Sequence, residues 1–107
     1  MDSKPPKPWQ VERRKMIRLV SADTVEVIAL ATGMHLSMRL SDIGLGGCFI
    51  ETLLPFAVDA RVRIRLTRGI VEFETEGRVA FSQSGIGMGI AFDELSEDQR
   101  LALIQLA

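Results

Sequence analysis

The stretch MHLSMRLSDIGLGG, residues 34–47, decides the fold. Its first half alternates: Met34, Leu36, Met38 and Leu40 are apolar, whereas His35, Ser37, Arg39 and Ser41 are polar. A period of two sends one set to a core face and the other to water, the pattern of a half-buried strand. Asp42-Ile43-Gly44-Leu45-Gly46-Gly47 then reads as a glycine-rich turn, and Cys48 to Thr52 as a short strand returning from it.

The same pattern extends in both directions. Upstream, Val25, Val27 and Ile28 open a β-branched run that ends at Thr32-Gly33, a hairpin signal. Downstream, Val62, Ile64 and Leu66 alternate with Arg61, Arg63 and Arg65, and after Arg68-Gly69, Val71 and Phe73 alternate with Glu72, Glu74 and Glu76. Arginines on one outer face beside glutamates on the next predict cross-strand ion pairs. Gly77 is expected to mark a bulge before Val79 and Phe81 resume the alternation. In the last strand Ile86, Met88, Ile90 and Phe92 share a face, with Gly87, Gly89 and Ala91 on the other. Small residues there predict the tight curvature of a closed sheet. Ser96-Glu97-Asp98-Gln99 is a capping-box pattern, followed by Leu101, Leu103, Ile104 and Ala107 on a short amphipathic helix. The predicted fold is all-β with a terminal helix: a six-stranded antiparallel β-barrel over residues 19–93 and a C-terminal α-helix over 96–107.

Composition narrows the function. One domain of 107 residues, 47% hydrophobic and 25% charged, has enough apolar material for one core and too little for a large enclosed active site. No apolar run approaches the ~18 residues of a membrane span. The leader MDSKPPKPWQ has no apolar centre and does not read as a secretory signal. The single cysteine, Cys48, forms no intrachain disulfide and reads as a small core residue, which fits a cytoplasmic protein. One cysteine and one histidine cannot supply the usual four ligands of a structural zinc. With no nucleophile or phosphate-loop motif present, the chain reads as a binder, not an enzyme. Aromatic residues make up 6% and tyrosine is absent, so stacking platforms for single-stranded nucleic acid are scarce.

The net charge of −1 hides an asymmetry: residues 1–18 carry +4 and the remainder −5. Pro5, Pro6 and Pro8 with Lys4 and Lys7 make residues 1–11 a flexible arm with no core of its own. At its junction with the barrel stand Arg13, Arg14 and Arg18, and Arg14 and Arg18 fall on one side of an extended segment. A guanidinium fork fits the O6/N7 edge of guanine or a phosphate, and its plane stacks on a base. Asp42 has the complementary chemistry, accepting from guanine N1–H and N2–H₂, and glycines let a ligand approach the backbone. An anionic guanine nucleotide suits this set. A solvated tail, or an arm that docks an acidic protein surface, suits the charge alone equally well.

At these residues the chain resembles the PilZ domain, the bacterial receptor module for cyclic di-GMP. The family pairs R-x-x-x-R, often after an extra arginine, with a downstream D/N-x-S-x-x-G. Arg13, Arg14 and Arg18 meet the first half; Asp42 and Gly47 meet the second, with Gly44 where the family has serine. The likeness continues through Gly77-Arg78-Val79 and the segment ending at Phe92, covering residues 12–107. It implies a PilZ-like split barrel and a second-messenger receptor of the kind that regulates motility or biofilm. Arg13, Arg14 and Arg18 become the clamp, Asp42 the guanine acceptor, and Gly44 and Gly47 the rest of the ligand-binding turn. It further implies cyclic di-GMP as ligand with no other cofactor, and relay to an unidentified protein partner. Neither nucleic acid nor membrane insertion is implied. The alternative is a degenerate PilZ-like adaptor that binds no nucleotide and acts through protein contacts.

Overall fold

In the computed structural model, which describes residues 16–17 and 24–106, the chain forms β1 (Met16–Ile17), β2 (Thr24–Ala29), β3 (Met34–Gly44), β4 (Gly47–Glu51), β5 (Arg61–Arg68), β6 (Val71–Gln83), β7 (Gly87–Phe92) and α1 (Glu97–Gln105). The sheet closes on itself. β3 pairs with β2 and β4, β2 continues to β5, β5 to β6, and β6 to β7, which returns to β4. The result is a six-stranded antiparallel barrel with one C-terminal helix. β1 adds two rungs at the end of β3, with Met16 opposite Gly44 and Ile17 opposite Ile43. Ile43 also pairs with Cys48 of β4, so β1 occupies the edge of β3 that β2 uses further up.

Alternate residues of each strand fill the interior. Val25, Val27, Leu40, Ile64, Phe73 and Ile90 are essentially inaccessible to solvent, each worth about 1.5–3 kcal/mol of apolar burial. Outside, the expected ion pairs form: Arg63 reaches Glu76 at 2.8 Å, Arg65 reaches Glu72 at 3.2 Å, and Arg61 grips Asp93 with both terminal nitrogens. Those hydrogen bonds from Arg61 hold the Asp93 carboxyl below its ordinary range. Such exposed pairs add only about 0.2–1 kcal/mol each, and their main effect is on register. α1 starts as its sequence predicts: Ser96 Oγ accepts from Gln99 N–H at 3.1 Å, and Gln99 Oε1 accepts from Ser96 N–H at 2.7 Å. Its last carbonyls meet a cation where Arg68 donates to Leu106 O at 2.6 Å.

Several expectations change. The turn after β3 is only Leu45-Gly46; Asp42, Ile43 and Gly44 belong to β3 and Gly47 to β4. Gly77 is no bulge, since its register opposite Val62 is regular. A Cβ there would lie 2.3 Å from the Ala91 carbonyl oxygen, so the residue is small because β7 runs against it. The bulges fall elsewhere, between Leu40 and Asp42 and between Val79 and Phe81. Ile86 is half exposed in the β6–β7 turn and Met34 is exposed at the start of β3, beside the β2–β3 turn. On α1 the buried residue is Leu103, with Leu106 buried at the C-cap, while Leu101 and Ile104 face solvent. Half of the predicted apolar face of the helix is therefore left to solvent.

Candidate functional site

The two bulges build the site. Leu40 pairs with Ile50 and Ile43 with Cys48, all four buried in the core. Strict alternation from Leu40 sends Asp42 inward. Ser41 is the extra residue that resets the count, and Asp42 comes to lie opposite Phe49 on the outer face. Ala80 does the same on β6: Val79 pairs with Ile90 inside, and Phe81 then pairs with Gly89 outside. Phe81 therefore leaves the core face that its alternation with Val79 predicted.

Turned outward, Phe81 stacks on Phe49, their ring centres 5.8 Å apart and planes 23° from parallel. The two strands that carry these rings flank β7, which has glycine between them, since Gly89 pairs with both Phe49 and Phe81. At Gly87 a Cβ would come 2.8 Å from Phe49 Cζ and 2.3 Å from the Ile50 carbonyl oxygen. The small residues of β7 thus admit the Phe49 ring over the strand. Asp42, Gly44, Gly47, Phe49, Gly89 and Phe81 consequently share one outer face across β3, β4, β7 and β6. A carboxylate beside aromatic faces can accept from a purine's polar edge while its ring lies on an apolar surface.

The Asp42 carboxylate is half-buried, with Oδ1 shielded from solvent. It lies close enough to act on Cys48: burial first, and the Asp42 charge second, push that thiol far above its ordinary range. A thiol held protonated is no nucleophile, so Cys48 is a core residue that lends nothing to chemistry here. Among the described residues no group of three or more His, Cys, Asp or Glu side chains is placed to hold a metal ion.

Of the sequence-predicted residues, Asp42, Gly44 and Gly47 come together on this face. Gly44 and Gly47 do so as paired strand residues opposite Met16 and Ala91, not as an open loop. Arg13, Arg14 and Arg18 lie outside the described residues. The arginines of the barrel are otherwise engaged: Arg39 with Glu51, Arg61 with Asp93, Arg63 with Glu76, Arg65 with Glu72, Arg78 with Asp59, and Arg68 with the end of α1. Sequence reasoning missed Phe49 and Phe81. The available signal was the run of small residues on β7, since a strand bare on one face leaves room for rings from its neighbours.

Residues 12–107 match the PilZ domain family. None of the curated proteins matches the chain. Two solved structures are similar to it. One is the PilZ domain of CeSA from a cellulose-synthesising bacterium, with a TM-score of 0.64 and 20% identity over 80% of this chain and 89% of that one. The other is the PlzA protein of Borreliella burgdorferi in complex with cyclic di-GMP, with a TM-score of 0.58 and 16% identity over 83% of this chain and 33% of that one. The chain therefore spans about a third of the PlzA structure. At these identities the likeness concerns the fold.

Proposed function

The chain belongs to the PilZ domain family, and from that premise we propose that it is a cytoplasmic cyclic di-GMP receptor that relays occupancy to a protein partner without catalysing a reaction. PilZ domains are ligand-binding receptor domains, and a structural neighbour is a complex with this nucleotide. No helix among the described residues is long and apolar enough to cross a membrane.

The observation that carries the reading is the ladder at the root of the arm. Ile17 pairs with Ile43; Arg18 is the chain neighbour of the first and Asp42 of the second. One rung, Ile17–Ile43, thus has a residue of each half of the candidate signature next to it in sequence. In the proposed complex Arg13, Arg14 and Arg18 grip phosphates and guanine edges, Asp42 accepts from a guanine, and the half-buried Phe81, backed by the buried Phe49 ring, carries apolar contact. Gly47 leaves room for close approach.

Gly44 supplies no hydroxyl, and this favours the second reading, an adaptor that acts by protein contacts alone. One missing hydrogen bond is worth about 0.5–1.5 kcal/mol, a tenfold loss at most. Charge-assisted bonds from three arginines, at about 1.5–3 kcal/mol each, outweigh it. Titration calorimetry with the purified chain in low salt decides the matter. Saturable heat with cyclic di-GMP, and none with GMP at equal concentration, is expected. A folded protein that gives no heat with high cyclic di-GMP leaves the adaptor.

A further inference from the structure

We propose that the open edge of β3, Met34 to Met38, pairs with the same edge of a second copy of this chain. This goes beyond the receptor reading and needs no nucleotide. β3 has β2 along one side from Met34 to Arg39, but β4 lines its other side only from Arg39 onward, where Glu51 stands opposite. No strand among the described residues covers that other side of Met34 to Met38. The ladder fixes where the backbone groups there point. Thr52 N–H donates to Ile86 O at 3.2 Å, on the β7 side. Its neighbour Glu51 therefore turns its N–H and C=O the other way, to Arg39 of β3. Alternation back along β3 turns the N–H and C=O of Ser37 and His35 out of the open edge. Proteins protect such edges with lysine, proline or a bulge. The segment MHLSM has neither lysine nor proline, and the bulge of β3 lies beyond it, between Leu40 and Asp42.

The edge is complementary to itself, and this selects the occupant. Set antiparallel about Leu36, each copy places His35 opposite the other's Ser37, so the outward N–H and C=O groups of both residues find partners. Leu36 then meets Leu36 and Met34 meets Met38, all on the inner side of the sheet, where Met34 is exposed and Leu36 half-buried. The outer side brings no like charges together. Within the segment only His35 can carry a charge; it faces Ser37, and its Nδ1 is already held by Glu26 of its own sheet at 2.7 Å. In this register β4 ends opposite Arg39 and the second copy's strand begins opposite Met38, so the two meet end to end. Leu53 and Leu54 follow β4 at this point and are 75% and 81% exposed beside the incoming strand. So short a strand pair buries at most ~1,200 Å², the range of weak association. Asp42 lies toward the other end of β3, so pairing and the candidate ligand face use different stretches of one strand.

The test is sedimentation of the full, ligand-free chain from about 10 μM to about 1 mM, the span in which weak association shows. The mass is expected to rise toward that of a dimer, and exchange of the His35 and Ser37 amide protons, followed by NMR, to slow in step. Ser37→Pro removes an outward N–H and no ladder bond to β2. It should therefore hold the chain monomeric at a nearly unchanged melting temperature. Ile104→Asp, on the exposed face of α1, should leave association intact. A chain that stays monomeric throughout this range overturns the proposal. So does a dimer whose His35 and Ser37 amides exchange as fast as the monomer's, a readout that needs no variant. A dimer that Ile104→Asp dissolves and Ser37→Pro does not would move the interface to the helix and equally overturn it.

Discussion

Gly87→Ala tests the architecture of the candidate face most directly. The new Cβ would sit 2.3 Å from the Ile50 carbonyl oxygen, 2.8 Å from Phe49 Cζ and 3.0 Å from Phe49 Cε2. The ring can swing aside, but it then leaves its stack on Phe81, a loss of about 0.5–1.5 kcal/mol. The carbonyl cannot swing. It belongs to β4, which is laddered to β7 over five rungs from Gly47–Ala91 to Glu51–Gly87. Relieving the clash requires about 1 Å of separation between strands, the kind of overpacking that costs about 1–3 kcal/mol. Together the two effects predict roughly 2–4 kcal/mol, a fall in melting temperature of roughly 8–16 °C for a domain of this size. Thermal unfolding by far-UV circular dichroism measures it, and the near-UV phenylalanine signal should change at temperatures where the variant is still folded. A variant that melts within about 2 °C of the parent refutes the close approach of β4 to β7, and with it the placing of Phe49 on the outer face.

Two further outcomes are expected. Arg14→Ala and Arg18→Ala should each weaken cyclic di-GMP binding about 10- to 100-fold, the value of one charge-assisted interaction, with little change in melting temperature. Equal losses of stability and affinity would make these arginines structural. Cys48 makes stability fall at alkaline pH: its thiol titrates near 8.5 when unfolded and far higher when folded, so above pH ~8.5 the native state holds a proton that the unfolded state has lost. The expected slope is up to about 1.4 kcal/mol per pH unit in denaturant titrations, and Cys48→Ala should abolish it.

Alternation, turn residues and capping were written locally, so they were legible. Val62 to Leu66 against Val71 to Phe73 already implied the β5–β6 hairpin with its Arg–Glu exterior, and Ser96 with Gln99 implied the start of α1. The helix contact was not legible to the same degree, because Leu101 and Ile104 have the same core-like chemistry as Leu103, and only the docking of the helix on the barrel decides which of them is covered. At the site, Asp42, Gly44 and Gly47 stood out by residue type. What stayed hidden was the face each side chain would take, because a bulge has no fixed residue signature. Ser41 and Ala80 are ordinary strand residues, and each becomes the extra residue only because the partner strand is one rung shorter.

The chain's own letters therefore determined a closed antiparallel barrel with a capped terminal helix, a cationic leader, and the residue types that match the two halves of the PilZ signature. Period-two burial and local capping need no distant information. Only the tertiary structure decided that Asp42 and Phe81 point outward, that Phe49 lies over Gly87, and that residues 16–17 ladder onto the end of β3. Each of these depends on the register between strands far apart in sequence, and register is a property of the pair.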